Sequence, residues 1–328
     1  MPIRCTRIAR SFLALAAIAS IPAAAQTGVS DQAANAAATL HHIKTVFVIV
    51  MENHNWTGGS PNIKGNPAAP YINYTLLPMA SYANNYKNPP GIHPSLPNYL
   101  WLEAGDTLGV HADGSPQQFH QGTHNHLVQL LENAGISWKA YDEDISGTVC
   151  PINNAGPVDS NGGQLYASRH DPFVYFDDQT NSLNLNSAIC IQHIRPFTQL
   201  AADLAANKQA SYNFITPNLC DDMHDSCGGD PVAHGDAWLK QKVPAILNST
   251  AYRSGGALFI VWDEAATGDG PIPMIVLSPF AKGNHYSNNI YYTHSSTLRT
   301  LQEIFGVSPL IRYASALPDL SDLFHVFP

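Results

Sequence analysis

The sequence predicts an α/β fold with a mostly parallel central sheet and helices on both faces. Two runs and one alternation carry that prediction. Lys44–Val50 (KTVFVIV) and Ala257–Trp262 (ALFIVW) are continuous apolar stretches of strand length, rich in β-branched residues. Runs of this kind are buried on both faces, as strands are in parallel sheets sandwiched by helices. Strand-like and helix-like segments then alternate along the chain, the pattern of parallel strands joined by helical crossovers.

In chain order, Arg4, Arg7 and Arg10 precede the apolar run Ser11–Ile21, and Ala23-Ala24-Ala25 offers an A-x-A cleavage site. That is the three-part order of a secretory signal peptide. The apolar run is too short to cross a bilayer, which takes ~20 residues, and no later stretch is long enough. The expectation is an exported protein, secreted or periplasmic, cleaved near Ala25 and without a membrane span. Residues 26–43 read as a loose leader and 44–328 as one domain. After strand 44–50, helices are expected over Leu96–Ala104, stopped by Gly105, and Asn125–Ala134, stopped by Gly135. Ser137–Tyr141 is the next strand. Residues 145–196, rich in Asn, Gly, Ser and Asp, lack periodicity and read as a long ordered insertion near the mouth of a site. A helix over Phe197–Asn207 and a strand over Ser211–Ile215 follow. Asp236 is expected to cap a helix running to Leu247, kinked at Pro244. Strands at 257–262 and 272–277 come next. Ser295 or Ser296 caps a last helix that Gly306 ends.

The formal charge is −9, and it becomes −12 once residues 1–25 with their three arginines are removed. Such a surface excludes phosphate-backbone binding of nucleic acid and electrostatic docking on anionic lipid. Part of the acidic excess is available to a bound cation. Cys5 leaves with the signal peptide, and Cys150, Cys190, Cys220 and Cys227 remain. An even count in an exported chain points to two disulfides, preferably Cys220–Cys227 and Cys150–Cys190. The rival, a zinc site, lacks C-x-x-C pairs.

Ligand sites in open α/β sheets lie past the carboxyl ends of strands. Glu52-Asn53 directly follows the first strand, and Asp263-Glu264 directly follows the strand at 257–262. If those strands are neighbours, four oxygen-bearing side chains converge. Clustered carboxylates are costly unless a cation neutralises them, although either pair alone reads better as acids ending a strand at the surface. In His93-Pro94-Ser95-Leu96-Pro97-Asn98-Tyr99, Ser95 stands at a helix N-terminus, where free N–H groups favour an anion. It is either a nucleophile or an ordinary N-cap. His170, His224 and His294 sit in polar, turn-like contexts suited to proton transfer, phosphate contact or metal ligation. His41, His42, His120, His124 and His126 read as surface or capping histidines.

Six segments occur in a telling order: Val48–His54 (VIVMENH), His93–Tyr99 (HPSLPNY), Asp221–His224, Gly235–Leu239, Phe259–Glu264 and Thr293–Gly306. Together they resemble the bacterial phosphoesterase family of secreted acid phosphatases and phospholipases C, within the alkaline-phosphatase-like superfamily. The resemblance spans about residues 44–325. It implies metal ligation by Glu52, Asn53, Ser95, Asp263 and Glu264, with Ser95 as nucleophile. His170, His224 and His294 would surround the phosphate and leaving group. Oxygen-rich ligands suit Ca²⁺, Mg²⁺ or Mn²⁺ better than zinc. The compact length resembles the acid phosphatases, which implies a phosphomonoesterase working through a phosphoserine. A phosphodiesterase of phospholipase C type is the alternative, so the expected substrate is a small phosphoester or a phospholipid headgroup. After Glu52-Asn53 the chain reads His-Asn-Trp-Thr, where the phospholipases commonly have Ser-Phe. The sequence leaves the oligomeric state open.

Overall fold

The computed structural model describes residues 1–2, 41–59 and 62–328. The expected signal peptide and most of the leader therefore lie outside the described residues. Residues 41–43, assigned to that leader, are tied to the fold instead. The His42 N–H donates to the Pro328 carbonyl, and Ile43 is buried.

Eight strands form one sheet: β1 Thr45–Met51, β2 Ser81–Ala83, β3 Trp138–Asp142, β4 Ile194–Pro196, β5 Tyr212–Thr216, β6 Gly256–Trp262, β7 Met274–Leu277 and β8 Tyr286–Asn288. Their order across the sheet is β4-β3-β5-β1-β6-β7-β2-β8. All pairs from β4 to β6 are parallel. β7 runs antiparallel to both β6 and β2. The short link between β6 and β7 contains no helix, and a parallel return needs a crossover of a dozen residues or more.

Five longer helices accompany the sheet: α1 Ser95–Ala104, α2 Leu127–Asn133, α3 Thr198–Ala206, α4 Pro231–Leu247 and α5 His294–Phe305. α1, α2 and α5 contact one another, and α3 contacts α4. Every residue of β1, β5 and β6 is buried, which is why β1 and β6 read as apolar runs without alternation. α1 and α5 end at Gly105 and Gly306, both left-handed.

Four expectations are corrected. Asp236 does not cap α4; Asp230 does, accepting from the Val232 N–H. Asp236 lies inside the helix, and its carboxylate takes the backbone N–H groups of Tyr71 and Ile72. The cap of α5 is Thr293, with Ser296 closing the reciprocal bond. The 145–196 insertion is more than a mouth loop: it supplies edge strand β4 and buries Phe173, Val174, Tyr175 and Phe176. His126 is no surface histidine; it is fully buried between Glu103 and Asp178.

Candidate active site

Register brings the two acidic strand ends together. Met51 pairs with Trp262 in the parallel β1–β6 ladder, so Glu52 and Asp263 emerge side by side. The Asn53 N–H donates to Asp263 Oδ1 at 3.0 Å, and Asn53 has a positive φ of 46°, a backbone state that Asn tolerates better than most residues. The oxygen of the Asn53 amide faces Asp263 Oδ1 and Glu264 Oε1 at 3.2 Å each. Three oxygens turned toward one another require either an amide turned over to donate or a cation among them.

α1 closes the site from a second direction. Pro94, not Ser95, is its N-cap. Ser95 is the first helical residue, and its Oγ donates to Glu52 Oε2 at 3.0 Å. The hydroxyl therefore serves Glu52 rather than the helix end, which removes the N-cap reading. One turn on, the Tyr99 hydroxyl donates to Glu52 Oε1, as i and i+4 residues share a helix face. Asn98 Nδ2 lies 3.4 Å from Glu264 Oε2, and His93 Nδ1 also contacts that oxygen. The Leu96 N–H at the positive helix end donates to Asp113 Oδ1 at 3.0 Å.

β5 and the loop after it add a third side. Asp222, in the Asp221–His224 segment, is fully buried, and its backbone carbonyl accepts the Glu52 N–H. His170 lies between the acids: Nδ1 is 3.3 Å from Asp222 Oδ2 and Nε2 is 3.5 Å from Glu52 Oε1. Its ring stacks on Tyr99. His170 Nε2 and Asp222 Oδ2 are buried without a hydrogen-bond partner. Glu52, His170 and Asp222 offer ligand atoms within 4.8 Å of one another. Met223, with φ of 82°, turns the chain between Asp222 and His224. Gly235 in α4 makes room for it, because a Cβ there would stand 2.3 Å from Met223 Cγ.

Electrostatics agree with a cation. Burial, then Asp263 and Asp222, holds the Glu52 carboxyl well above the usual range. Asp222 and Asp263 are likewise raised, each chiefly by burial. Glu264 is pushed to about 9 by burial and then by Asp263 and Asp113. Burial, then Arg169 and His224, keeps His170 well below its ordinary value and neutral. Buried carboxylates beside a neutral imidazole with an open ring nitrogen form a set that fits a divalent metal.

The other two expected histidines separate. His224 is partly exposed; its Nδ1 lies 2.7 Å from Asp225 Oδ1, and its Nε2 lies 3.4 Å from an Arg169 guanidinium nitrogen. Arg169 also reaches Asp113 at 3.5 Å. His294 is fully buried, and neither ring nitrogen is open. Nε2 meets the Asp263 carbonyl, and Nδ1 takes the Tyr86 hydroxyl at 2.9 Å. Burial lowers its pKa to about 4, so the ring is a neutral support for the Asp263 backbone. His294 therefore stands behind the site, contrary to the expected ring of three histidines.

Sequence reasoning misses Asp222, Tyr99, Asn98, His93 and Arg169. The i, i+3, i+4 spacing of Ser95, Asn98 and Tyr99 is a usable signal for two of them. His54, whose Nδ1 lies 2.8 Å from the Glu52 carbonyl and whose buried Nε2 has no partner, is a sixth. Both disulfides form as expected, Cys150–Cys190 and Cys220–Cys227. Asp159 lies near Cys220 and Cys227, but bridged sulfurs offer no thiolate to a metal.

A family model described as the Phosphoesterase family matches residues 83–308. The chain is 28% identical over 320 residues to phosphatidylinositol-3-phosphatase of Mycobacterium tuberculosis, covering 97% of this chain and 95% of that one. It is 27% identical over 230 residues to an acid phosphatase of Aspergillus fumigatus, covering 67% of this chain and 48% of the fungal protein. The chain thus spans about half the length of the fungal relative. A Vibrio parahaemolyticus protein of the alkaline phosphatase superfamily superposes with a TM-score of 0.51 at 10% identity, covering 86% of this chain and 72% of that one, a likeness of fold.

Proposed function

This chain belongs to the Phosphoesterase family and is a phosphoester hydrolase, and from that premise we propose that it is an exported, metal-dependent phosphomonoesterase with Ser95 as nucleophile. One observation carries the reading. Ser95 Oγ, at the positive end of α1, is aimed at Glu52 within a buried group of carboxylates that outnumber the one cation acting on them, Arg169, among the described residues. Glu52, Asn53, Ser95, Asp263 and Glu264 would hold the cation, with His170 and Asp222 beside Glu52. This donor set favours Ca²⁺, Mg²⁺ or Mn²⁺. Such an ion, when bound, supplies a Lewis acid and lowers the pKa of the Ser95 hydroxyl.

Ser95 passes its hydroxyl proton to Glu52 Oε2, which already accepts it at 3.0 Å, as Oγ attacks phosphorus in line, and the new bond to phosphorus forms as the bond to the leaving oxygen breaks. Arg169 and the α1 N-terminus offset charge on the phosphoryl oxygens. His224, the one of the three expected histidines open to solvent, gives the leaving oxygen its proton, and Asp225 orients its ring. Water then gives a proton to His224, left neutral by the first step, and attacks phosphorus; the bond to Ser95 breaks, Oγ takes its proton back from Glu52, and phosphate is released. His170 acts within the ligand set, and His294 positions Asp263.

The paired cysteines support export, since such bridges persist in oxidising compartments. Among the described residues no helix is long and apolar enough to cross a membrane. The deciding experiment sets purified protein against an aryl phosphate monoester, an aryl phosphate diester and phosphatidylcholine, with and without chelator. The monoester should be turned over fastest, and only without chelator. Preference for either diester would overturn the monoesterase assignment.

A further inference from the structure

A cavity of about 940 Å³ opens at the carboxyl edge of the sheet, on the β3–β5 side. That size lies within the ~300–1,000 Å³ typical of small-molecule sites. Leu200, Leu204 and Ile246, all buried, form its floor between α3 and α4. Its rim is apolar and open to solvent: Val149 is 41% exposed and Leu185 42%. The Cys150–Cys190 bridge and the bond from Cys150 N–H to the Leu185 carbonyl hold that rim together, with Ile189, 44% exposed, next in chain to Cys190. The polar end of the cavity is formed by the loop that carries Asp222. Asn218 lines it, and the Asn218 carbonyl accepts the Asp222 N–H at 2.8 Å. A single turn therefore joins the cavity wall to the carboxylates around Glu52. Glu143, which lines the wall, is pushed to about 7 by its burial.

We propose that this cavity binds the aliphatic chain of an amphiphilic phosphate monoester while its head is hydrolysed at Ser95. The inference rests on the phosphomonoesterase reading above. An aliphatic chain suits the cavity better than an anionic ligand, because Leu200, Leu204 and Ile246 floor it, Glu143 and Asp144 would repel an anion, and the only cation in the wall among the described residues, Lys242, lies over the Phe197 ring. The acidic chain offers little to an anionic surface, so selection falls to the tail rather than to attraction of a charged interface.

The test is a series of n-alkyl phosphates of increasing length, read against a small aryl phosphate. In the wild type, kcat/KM should climb with chain length, by up to about fourfold per buried methylene. Ala201→Phe on α3 and Ala245→Phe on α4 fill the cavity from exposed positions outside the catalytic group. Each should flatten the climb and leave kcat/KM on the aryl phosphate within about twofold. A second readout needs no turnover. Trp238 donates to Glu143, so a brominated fatty acid in the cavity should quench its fluorescence, and both variants should lose the quench. A flat alkyl series in the wild type, or a slope and quench unchanged by filling, overturns the proposal. Binding of an apolar peptide without quenching by the fatty acid does so too. Failure to turn over any phosphate would instead remove the hydrolase assignment, and the quench alone would then carry or sink the cavity.

Discussion

Ser95 Oγ and Glu52 Oε2 stand 3.0 Å apart although 43 residues separate them. Glu52 is where β1 stops and Ser95 is where α1 starts, so the contact joins a strand end to a helix N-terminus. Tyr99 takes the other Glu52 oxygen from the next turn of the same helix. The carboxylate is thereby clamped by two residues of α1, which sets the direction of the serine hydroxyl.

Ser95→Ala separates the chemical role from the structural one. Ser95 caps nothing, so the loss is one hydrogen bond to a buried carboxylate, about 1–3 kcal/mol. The variant should fold, with kcat lower by several orders of magnitude. Acid-quenched wild type should carry phosphate on the peptide containing residue 95. A folded variant that keeps a tenth of wild-type kcat would sink the assignment.

Removing the cation should abolish turnover and lower Tm, and a divalent ion should restore both. Asp222→Asn tests why. It keeps an oxygen for the His224 N–H but removes one charge from a group whose members repel. Chelated Asp222→Asn should melt higher than chelated wild type and gain much less from added cation. Equal gains in the two proteins would remove Asp222 from the ligand set.

The chelated protein should lose stability as pH rises. Glu264 has an ordinary value of 4.5 and is pushed to about 9, chiefly by burial. A carboxyl with a folded pKa above its unfolded one binds more protons in the fold, so its contribution is present below 4.5 and lost through about 9. Tm of the chelated wild type should fall across that window, and Glu264→Gln should reduce the fall. Thermal melts at saturating cation should show it largely suppressed.

His126 contributes with the same sign through a different group. Burial pulls its pKa down, but Asp178 and Glu103 together raise it to about 9. Its stabilisation is complete below 6.5 and fades as pH rises through about 9. In cation-saturated protein, where Glu264 is masked, His126→Gln should flatten that part of the profile. At pH 6 it should cost about 3–5 kcal/mol, the usual effect of breaking a buried ion pair. A profile as steep as wild type would show that His126 is neutral in the fold.

Gly235→Ala probes the packing behind the site. The new methyl collides with Met223, which turns the chain between Asp222 and His224. Overpacking of this kind costs about 1–3 kcal/mol. Because the displaced residue adjoins Asp222, apparent cation affinity should fall along with Tm. Unchanged cation affinity in a destabilised variant would confine Gly235 to packing.

Wherever a feature is written in neighbouring residues, the chain alone specifies it. β1 and β6 are legible because burial on both faces demands unbroken apolar runs, and Glu52-Asn53 and Asp263-Glu264 because polarity changes abruptly where those runs stop. Gly105 and Gly306 are legible because helix ends need a left-handed residue. β2, β4 and β8 are not, since three residues carry no measurable period. Likewise Ser95 could equally be a cap until α1 is seen to begin at Pro94 and to face β1. His170 and His294 look alike in sequence, each polar and turn-like. Packing places one among carboxylates with an open nitrogen and closes both nitrogens of the other. Asp222 joins the site only because β5 lies beside β1. Side-chain direction and burial depend on which distant strands pair, and that choice belongs to the whole fold rather than to any segment.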